Sequence, residues 1–318
     1  MINRIKVIPM ENGHIEELTI LWEKQFDVFC CGNAMYNYWK NHSNLLKDYI
    51  QSHAENGNGI TAWLDNKCVG YLAYETGEFH GAKSAFIPFA GNAAAMEGRE
   101  SIYLALYKKA SECWLDQGIR NQYYTIGAED IELKNVLFDL GFGSYVVDCF
   151  SAQFTECMVT DTGITIEKAG EADAAELFEV VKESRDYYSL APLFLIMEPY
   201  PYEDLVKLIA ESNVFIAKDS KKIIGFMNLS ISKEDDIISM CLKGFGQIDE
   251  IGAYIKDAYR GKQIGNLFIK AIAAYCRLNG IPCVHVDYES SNLYGNKFWR
   301  KHFTPALLSL KRTIHADI

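Results

Sequence analysis

Residues 259–265 run Tyr259-Arg260-Gly261-Lys262-Gln263-Ile264-Gly265, and an apolar-periodic segment, 266–278, follows them at once. This pattern predicts a tight turn that opens directly into a helix. The first turn of a helix carries backbone N–H groups without intrahelical partners, at the positive end of the helix dipole. The sequence therefore predicts a phosphate-binding turn.

The segments around this turn predict a unit with the order strand, turn, helix, strand, helix. Residues 249–255 predict a buried strand before the turn. After the helix, Gly280-Ile281-Pro282 predicts a break, residues 283–288 alternate like a second strand, and residues 292–302 predict a short amphipathic helix.

With these elements in order, residues 249–303 resemble the core of the GNAT superfamily of N-acetyltransferases. The phosphate turn of that family is Arg/Gln-x-x-Gly-x-Gly/Ala. Arg260 and Gly265 match it, and Gln263 stands in place of the first glycine.

The second signature of the family lies on the last predicted helix. It is an Asn, followed six or seven residues later by Phe-Tyr and then by Gly-Phe. Here Asn292, Phe298-Trp299 and His302-Phe303 occupy these places, so a tryptophan replaces the tyrosine.

The resemblance implies an acyltransferase that moves an acetyl group from acetyl-CoA to a primary amine of a small molecule or peptide. The amine would attack directly in a ternary complex. Acetyl-CoA would lie between the two central strands, 249–255 and 283–287. The residues implied to contact it are Ala253, Ile255, Arg260, Gly261, Lys262, Gln263, Ile264, Gly265, Asn292 and Trp299.

A base must remove a proton from the amine, because an amine with a pKa near 10 is mostly protonated at neutral pH. Glu250 is the first candidate, since it is predicted to lie on the strand beside the thioester. Asp249 and Asp287 are the alternatives. Each of these carboxylates has the equally simple interpretation of a solvated strand end.

The acid that protonates the leaving thiolate in the family is the tyrosine that Trp299 replaces. An indole N–H donates a hydrogen bond but does not give up its proton. Tyr294, on the same short helix, is the candidate substitute, and Tyr288 is the alternative. Aromatic packing against the sheet is the competing interpretation of both.

An internal repeat divides the chain. Residues 65–72 resemble 220–227, and both predict a β-hairpin. Residues 135–142 resemble 296–303, in the same order. We therefore predict an α/β chain of the α+β type, with two tandem GNAT-like domains over residues 1–160 and 161–318. Each would have a mixed, mostly antiparallel central sheet flanked by helices.

The first domain lacks the spacing of the phosphate turn. Residues 89–100 stand in its place, and Glu97 and Glu100 would repel a pyrophosphate. We predict a degenerate copy that does not bind CoA, so substitution of Arg99 should leave the affinity for CoA intact.

Composition narrows the remaining function classes. The net charge of −11 argues against nonspecific nucleic-acid binding. Nine scattered cysteines without a Cys-x-x-Cys motif predict reduced thiols in a cytoplasmic protein, with no metal site. No apolar run is long enough to predict a membrane span. A non-catalytic acyl-CoA-binding or regulatory module is the alternative function, and the acceptor amine and the oligomeric state stay open.

Overall fold

The computed structural model of the protein describes residues 4–152 and 163–315. The chain forms two compact units. Unit 1 comprises residues 1–148, 236–240 and 305–318, and unit 2 comprises residues 149–235 and 241–304.

Unit 1 is built from two groups of paired strands with helices. The strand order is β1-β2-β3-β6 in one group and β4-β5-β7-β15 in the other. Its strands are β1 Lys6–Pro9, β2 Gly59–Leu64, β3 Lys67–Ala73, β4 Glu75–Phe79, β5 Ala82–Ile87, β6 Asn92–Ala94, β7 Asn121–Gly127 and β15 Thr304–Thr313, and β8 Gly143–Ser151 begins in it. Its helices are α1 Ile15–Cys30, α2 Tyr36–Trp39, α3 Ser43–Glu55, α4 Arg99–Asp116 and α5 Ile131–Asp139.

Unit 2 has one sheet with the strand order β14-β12-β11-β10-β9, and β13 also pairs with β11. The strands are β9 Thr165–Lys168, β10 Asn213–Asp219, β11 Lys222–Ile231, β12 Gly246–Ile248, β13 Ala253–Ile255 and β14 Val284–Glu289. The helices are α6 Ala174–Ser189, α7 Tyr202–Glu211, α8 Ile264–Asn279 and α9 Leu293–Trp299. All pairs are antiparallel except β12 with β14. The predicted fold class is confirmed.

Helices cover the sheet of unit 2 on both faces. Val214 and Ile216 of β10 are buried in a cluster with Leu177 of α6 and Leu205 of α7. Phe215, between them in the sequence, contacts the ring of Tyr275 on α8, with 5.9 Å between the ring centroids. Because successive strand residues point to opposite faces, β10 is apolar on both sides and its core lies in two layers.

The two predicted hairpins are confirmed. Asp65 and Asn66 join β2 to β3, and Ser220 and Lys221 join β10 to β11. All four residues have positive φ, between 49° and 82°. Two-residue turns with positive φ match the right-handed twist of the strands that they join, which explains the repeat of this connection in both halves.

The last strand belongs to unit 1. Residues Leu307 to Thr313 of β15 pair antiparallel with β7, from Gly127 to Asn121. The hydroxyls of Thr125 and Ser309 bond across this pair at 2.8 Å. Of the described residues, 305–315 belong to the first compact unit, and the predicted domains over 1–160 and 161–318 stay a prediction. The predicted join near residues 160–163 lies, except for Gly163, outside the described residues.

Candidate cofactor and acceptor site

The strand before the phosphate turn is broken in two. The prediction of one strand over 249–255 is wrong, because residues 249–252 form a turn closed by a 2.7 Å bond from Gly252 N to Asp249 O. Glu250 and Gly252 take positive φ, 59° and 65°. β12 pairs in parallel with β14 before this turn, whereas β13 after it pairs with β11. The two central strands of unit 2 thus separate at the turn.

The separation leaves one edge of β13 turned away from β11. Lys256 donates to Ile224 O on β11 at 2.9 Å. Since backbone groups alternate along a strand, Ala253 and Ile255 present theirs to the opposite edge. The carbonyl of Ala253 accepts from Tyr188 Oη at 3.4 Å, and that of Ile255 from Arg260 Nε at 3.0 Å. The two residues predicted to pair with pantetheine thus lie on the available edge.

The predicted phosphate turn has the backbone geometry of an anion site. Gln263 caps α8 in the left-handed conformation, with φ 62° and ψ 12°, and Gly261 has φ 76°. The helical bonds begin with Asn266 N and Leu267 N, which both donate to Gln263 O. The preceding N–H groups, up to Gly265, lie at the helix start, where intrahelical acceptors are lacking. The glycine of the family signature is thus replaced at a position that does require positive φ.

Arg260 is held against β13 and an aromatic cluster. Its guanidinium lies 4.0 Å from the ring centroid of Tyr187 and 5.4 Å from that of Tyr254. It also pairs with Asp257. Lys262 is exposed, with its ammonium 4.8 Å from the ring centroid of Tyr259. Lys262 therefore has more freedom than Arg260 to approach a bound phosphate, and the role predicted for Arg260 stays a prediction.

The signature residues of α9 hold this helix in place. Asn292 is buried and caps α9, since its Oδ1 accepts from Gly295 N at 2.9 Å. Trp299 is also buried and packs between the rings of Phe298 and Phe303, at centroid distances of 4.9 and 5.6 Å. Asn292 and Trp299 therefore have structural roles in α9, and their contacts with the cofactor stay a prediction.

Asp249 lies in a polar niche at the break between β12 and β13. Its carboxylate accepts from Ser230 Oγ at 2.8 and 2.7 Å and from Asn228 Nδ2 at 3.2 Å. Burial raises the pKa of this carboxyl above its ordinary value, and the charges of Glu250 and Asp287 add to that effect. The hydrogen bond from Ser230 and the charge of His285 oppose it. No local sequence signal identifies Ser230 and Asn228, because tertiary pairing supplies them from β11.

The other predicted catalytic residues lie in different surroundings. Glu250 is exposed. Tyr294 is 75% exposed. Tyr288 is buried, and its hydroxyl donates to Asn296 Oδ1 at 3.3 Å and accepts from Cys149 Sγ at 3.8 Å. Burial raises the pKa of Tyr288, so it stays protonated at neutral pH.

A cavity of about 580 Å³ lies beside the second half of α6. Tyr200 lines it, and so does Glu183, whose carboxylate accepts from the hydroxyl of Tyr254 on β13 at 3.1 Å, so the cavity reaches β13. Three carboxylates and two cations line the cavity, so its lining carries a net charge of −1. The lining residues are Glu179, Val181, Lys182, Glu183, Arg185, Asp186, Ser189, Ile196, Met197, Pro199 and Tyr200.

Unit 1 has a similar break, but side chains fill it. β5 pairs in parallel with β7, and β6 pairs with β3. The amide of Asn92 on β6 donates to Thr125 O on β7 at 3.0 Å, across the separation. Arg99, at the start of α4, is fully buried and forms an ion pair at 2.5 Å with the equally buried Asp130.

Further hydrogen bonds complete this cluster. Arg99 donates to Gln25 Oε1 at 2.9 Å and to Tyr103 Oη at 3.3 Å. Tyr103 donates to the same Gln25 oxygen at 2.7 Å. The space that corresponds to the cofactor edge of unit 2 is therefore occupied by the protein itself. The sequence does not indicate that Arg99 is buried, because its neighbours in the sequence would equally fit an exposed arginine at the start of a helix.

No group of His, Cys, Asp and Glu in the described residues is placed to hold a metal ion. No helix among residues 4–152 and 163–315 is long and apolar enough to cross a membrane.

Comparisons with known proteins give a family and a fold. The sequence model of the acetyltransferase (GNAT) family matches residues 177–303. No curated protein matches the chain. A GNAT-family N-acetyltransferase from Sphaerobacter thermophilus superposes with a TM-score of 0.55 at 13% identity, covering 99% of this chain and 98% of the other.

A second solved structure shares the fold. The glucosamine N-acetyltransferase region of a fungal multi-domain β-N-acetylglucosaminidase superposes with a TM-score of 0.52 at 15% identity. The match covers 96% of this chain and 38% of the fungal chain. At such identities these likenesses establish the fold alone. The match to the acetyltransferase (GNAT) family extends over residues 177–303 of this chain.

Proposed function

We propose that unit 2 transfers an acetyl group from acetyl-CoA to a primary amine. The observation that carries this proposal is the broken strand, with the free edge of β13 leading to the amide-rich turn at the start of α8. The edge offers peptide groups to the pantetheine arm, and the turn offers N–H groups to the pyrophosphate. Acetyl-CoA would supply an activated thioester at this edge.

The remaining roles follow from the geometry. Gly261 to Gly265 would hold the phosphates with help from Lys262, and the Nδ2 of Asn292 could donate to the pantetheine arm. A backbone N–H of β13, near Ile255, could stabilise the oxygen that becomes negative. The cavity beside α6 would receive the amine, since it reaches β13 through Glu183 and its lining carries a net negative charge.

Asp249 is a better candidate base than Glu250. Its raised pKa brings its proton affinity closer to that of an amine, and its hydrogen bonds hold the carboxylate in one position. Glu250 is exposed to solvent at the same turn and is free to move. Glu250 could instead attract the cationic amine toward the cavity.

A non-catalytic acyl-CoA-binding module is the second candidate. It is favoured by Trp299, which replaces the tyrosine of the family and is buried among aromatic rings. Release of free thiol that depends on an added amine would separate the two. The added amines would be a panel of amino sugars, polyamines, amino acids and peptides. The name of the fungal relative suggests that the panel should include glucosamine.

The proposal is tested by calorimetric titration of acetyl-CoA into the purified protein. We expect one site per chain. Lys262→Glu should lower the affinity for acetyl-CoA at least tenfold, and this effect should be largest at low salt. Lys270→Glu, at an exposed position of α8, is the matched control and should leave the affinity unchanged. Absence of binding to the unmodified protein would contradict both candidate functions.

The protein is further proposed to work in the cytoplasm. The described cysteines are free thiols, which fits a reducing compartment. Localisation of a tagged chain would test this.

A further inference from the structure

The tyrosine that the family uses at the leaving group is absent here, and the predicted substitutes are poorly placed. Trp299 is buried between two rings, and Tyr294 is 75% exposed on the outer side of α9. Tyr288 already donates to Asn296. A different donor is therefore needed if the sulfur is to be stabilised as it leaves.

Tyr188 places a hydroxyl at the free edge of β13. It lies at the end of α6, and its Oη is 3.4 Å from the carbonyl oxygen of Ala253. This distance is at the long end of the hydrogen-bond range, so little is lost when the hydroxyl turns toward a ligand. The ring of Tyr187 packs edge-on against that of Tyr188, with 5.6 Å between the centroids, and Leu195 N donates to the backbone carbonyl of Tyr188 at 2.9 Å, which holds the main chain there.

We propose that Tyr188 donates a hydrogen bond to the sulfur of the departing CoA, in the role that tyrosine on the last helix has in the family. This inference rests on the proposed function. In the reaction the amine nitrogen forms a bond to the carbonyl carbon, the C–S bond breaks, and its electron pair stays on sulfur. The proton lost by the amine ends on the thiol, so the atoms and charges balance.

The surroundings of Tyr188 keep its hydroxyl protonated. Burial is the main cause that raises its pKa to about 12, and Tyr187 on the same helix and Asp287 on β14 add to it. Arg260 in the turn before α8 opposes them. Because the raised pKa lies well above neutral pH, Tyr188 is a donor throughout the range in which a thiol ionises.

The test uses free CoA as the probe and needs no acceptor. The thiolate absorbance of bound CoA is followed from pH 6 to 10 in the unmodified protein and in Tyr188→Phe. A hydrogen bond to the thiolate favours the ionised form. We expect the bound thiol to ionise at least one pH unit higher in Tyr188→Phe, with no such change in the matched variant Tyr187→Phe.

The outcomes are distinct. Identical ionisation of bound CoA in Tyr188→Phe and the unmodified protein would overturn the role of Tyr188 while leaving the cofactor site intact. Failure of the unmodified protein to bind CoA would overturn the proposed function, and this inference with it. If Tyr188→Phe does not fold, 3-fluorotyrosine at position 188 keeps the ring and is a moderately stronger acid that stays protonated over most of the range in which the thiol ionises. It should lower the pH at which bound thiol ionises, and no change would overturn the proposal.

Discussion

Asp249 is the residue on which the proposed chemistry depends most. We expect Asp249→Asn to lower kcat by about 10²–10⁴ with an unchanged Kd for acetyl-CoA, because only proton removal is lost. The base must be ionised, and its pKa is raised by burial. Activity of the unmodified protein should therefore fall as the pH drops through that raised pKa.

Steady-state kinetics across pH, with an amine that supports turnover, would measure both effects. Glu250→Gln is the matched control, since it removes the neighbouring charge and leaves Asp249 in place. Loss of activity in Glu250→Gln with full activity in Asp249→Asn would reverse the assignment of the base.

Gln263 carries conformational strain that a glycine would relieve. A non-glycine residue in the left-handed region costs about 1–2 kcal/mol, and glycine costs about 0.5–1 kcal/mol in lost chain entropy. We expect Gln263→Gly to raise the free energy of unfolding by roughly 0.5–1 kcal/mol. Urea unfolding would measure it, and Gln263→Ala, which keeps the strain, should show no gain.

At the scale of single residues, the sequence predicted what local motifs encode. The family signature predicted the turn that opens α8 and the position of Asn292 at the start of α9, and the cofactor contacts of both stay predictions. It did not locate Tyr188 as a donor or Ser230 as a partner of Asp249, because α6 and β11 bring them in by tertiary packing. The aromatic pair Tyr187-Tyr188, at the end of the first helix of unit 2, was the available signal.

At the scale of elements, α8 and α9 meet at one glycine. A Cβ on Gly265 would lie 2.6 Å from Cε2 of Phe298. We expect Gly265→Ala to lower the free energy of unfolding by about 1–3 kcal/mol, because the helices would be forced apart. The affinity for acetyl-CoA should fall too, since the amide turn moves with α8.

Thermal unfolding and calorimetry would measure these effects. Phe298→Leu combined with Gly265→Ala should recover part of the loss, because the smaller side chain makes room. Strictly additive effects of the two substitutions would show that this contact is not the cause.

Some elements could be predicted from the sequence, and one break between strands could not. The hairpins at Asp65 and Ser220 were predictable, because polar turn residues separate apolar strands there. The break at 249–252 was not, because Ile251 is buried and continues the apolar pattern, while the positive φ falls on Glu250. Its cause lies in the pairing of β12 with β14 and of β13 with β11.

At the scale of the whole molecule, we propose that unit 2 binds the cofactor. In unit 1, buried side chains around Arg99 fill the corresponding space. Arg99→Met should leave the affinity of the chain for acetyl-CoA unchanged, with one site. It should lower the free energy of unfolding by about 3–5 kcal/mol, because Asp130 would be left as a buried charge without its partner.

Calorimetry and urea unfolding would separate the two effects. Arg99→Met with Asp130→Asn, which removes both charges, is the control and should unfold with a smaller penalty. A second site for acetyl-CoA in the unmodified protein would refute the degenerate character of unit 1.

The pairing of β15 with β7 has a consequence for how the chain is made. A ribosome releases most residues of unit 1 first, yet the strand that completes this unit follows all of unit 2 in the sequence. Unit 1 must therefore wait, with this edge of β7 unpaired, until β15 has been synthesised. Unit 2 can close on itself earlier, so the order of maturation is the reverse of the order of synthesis.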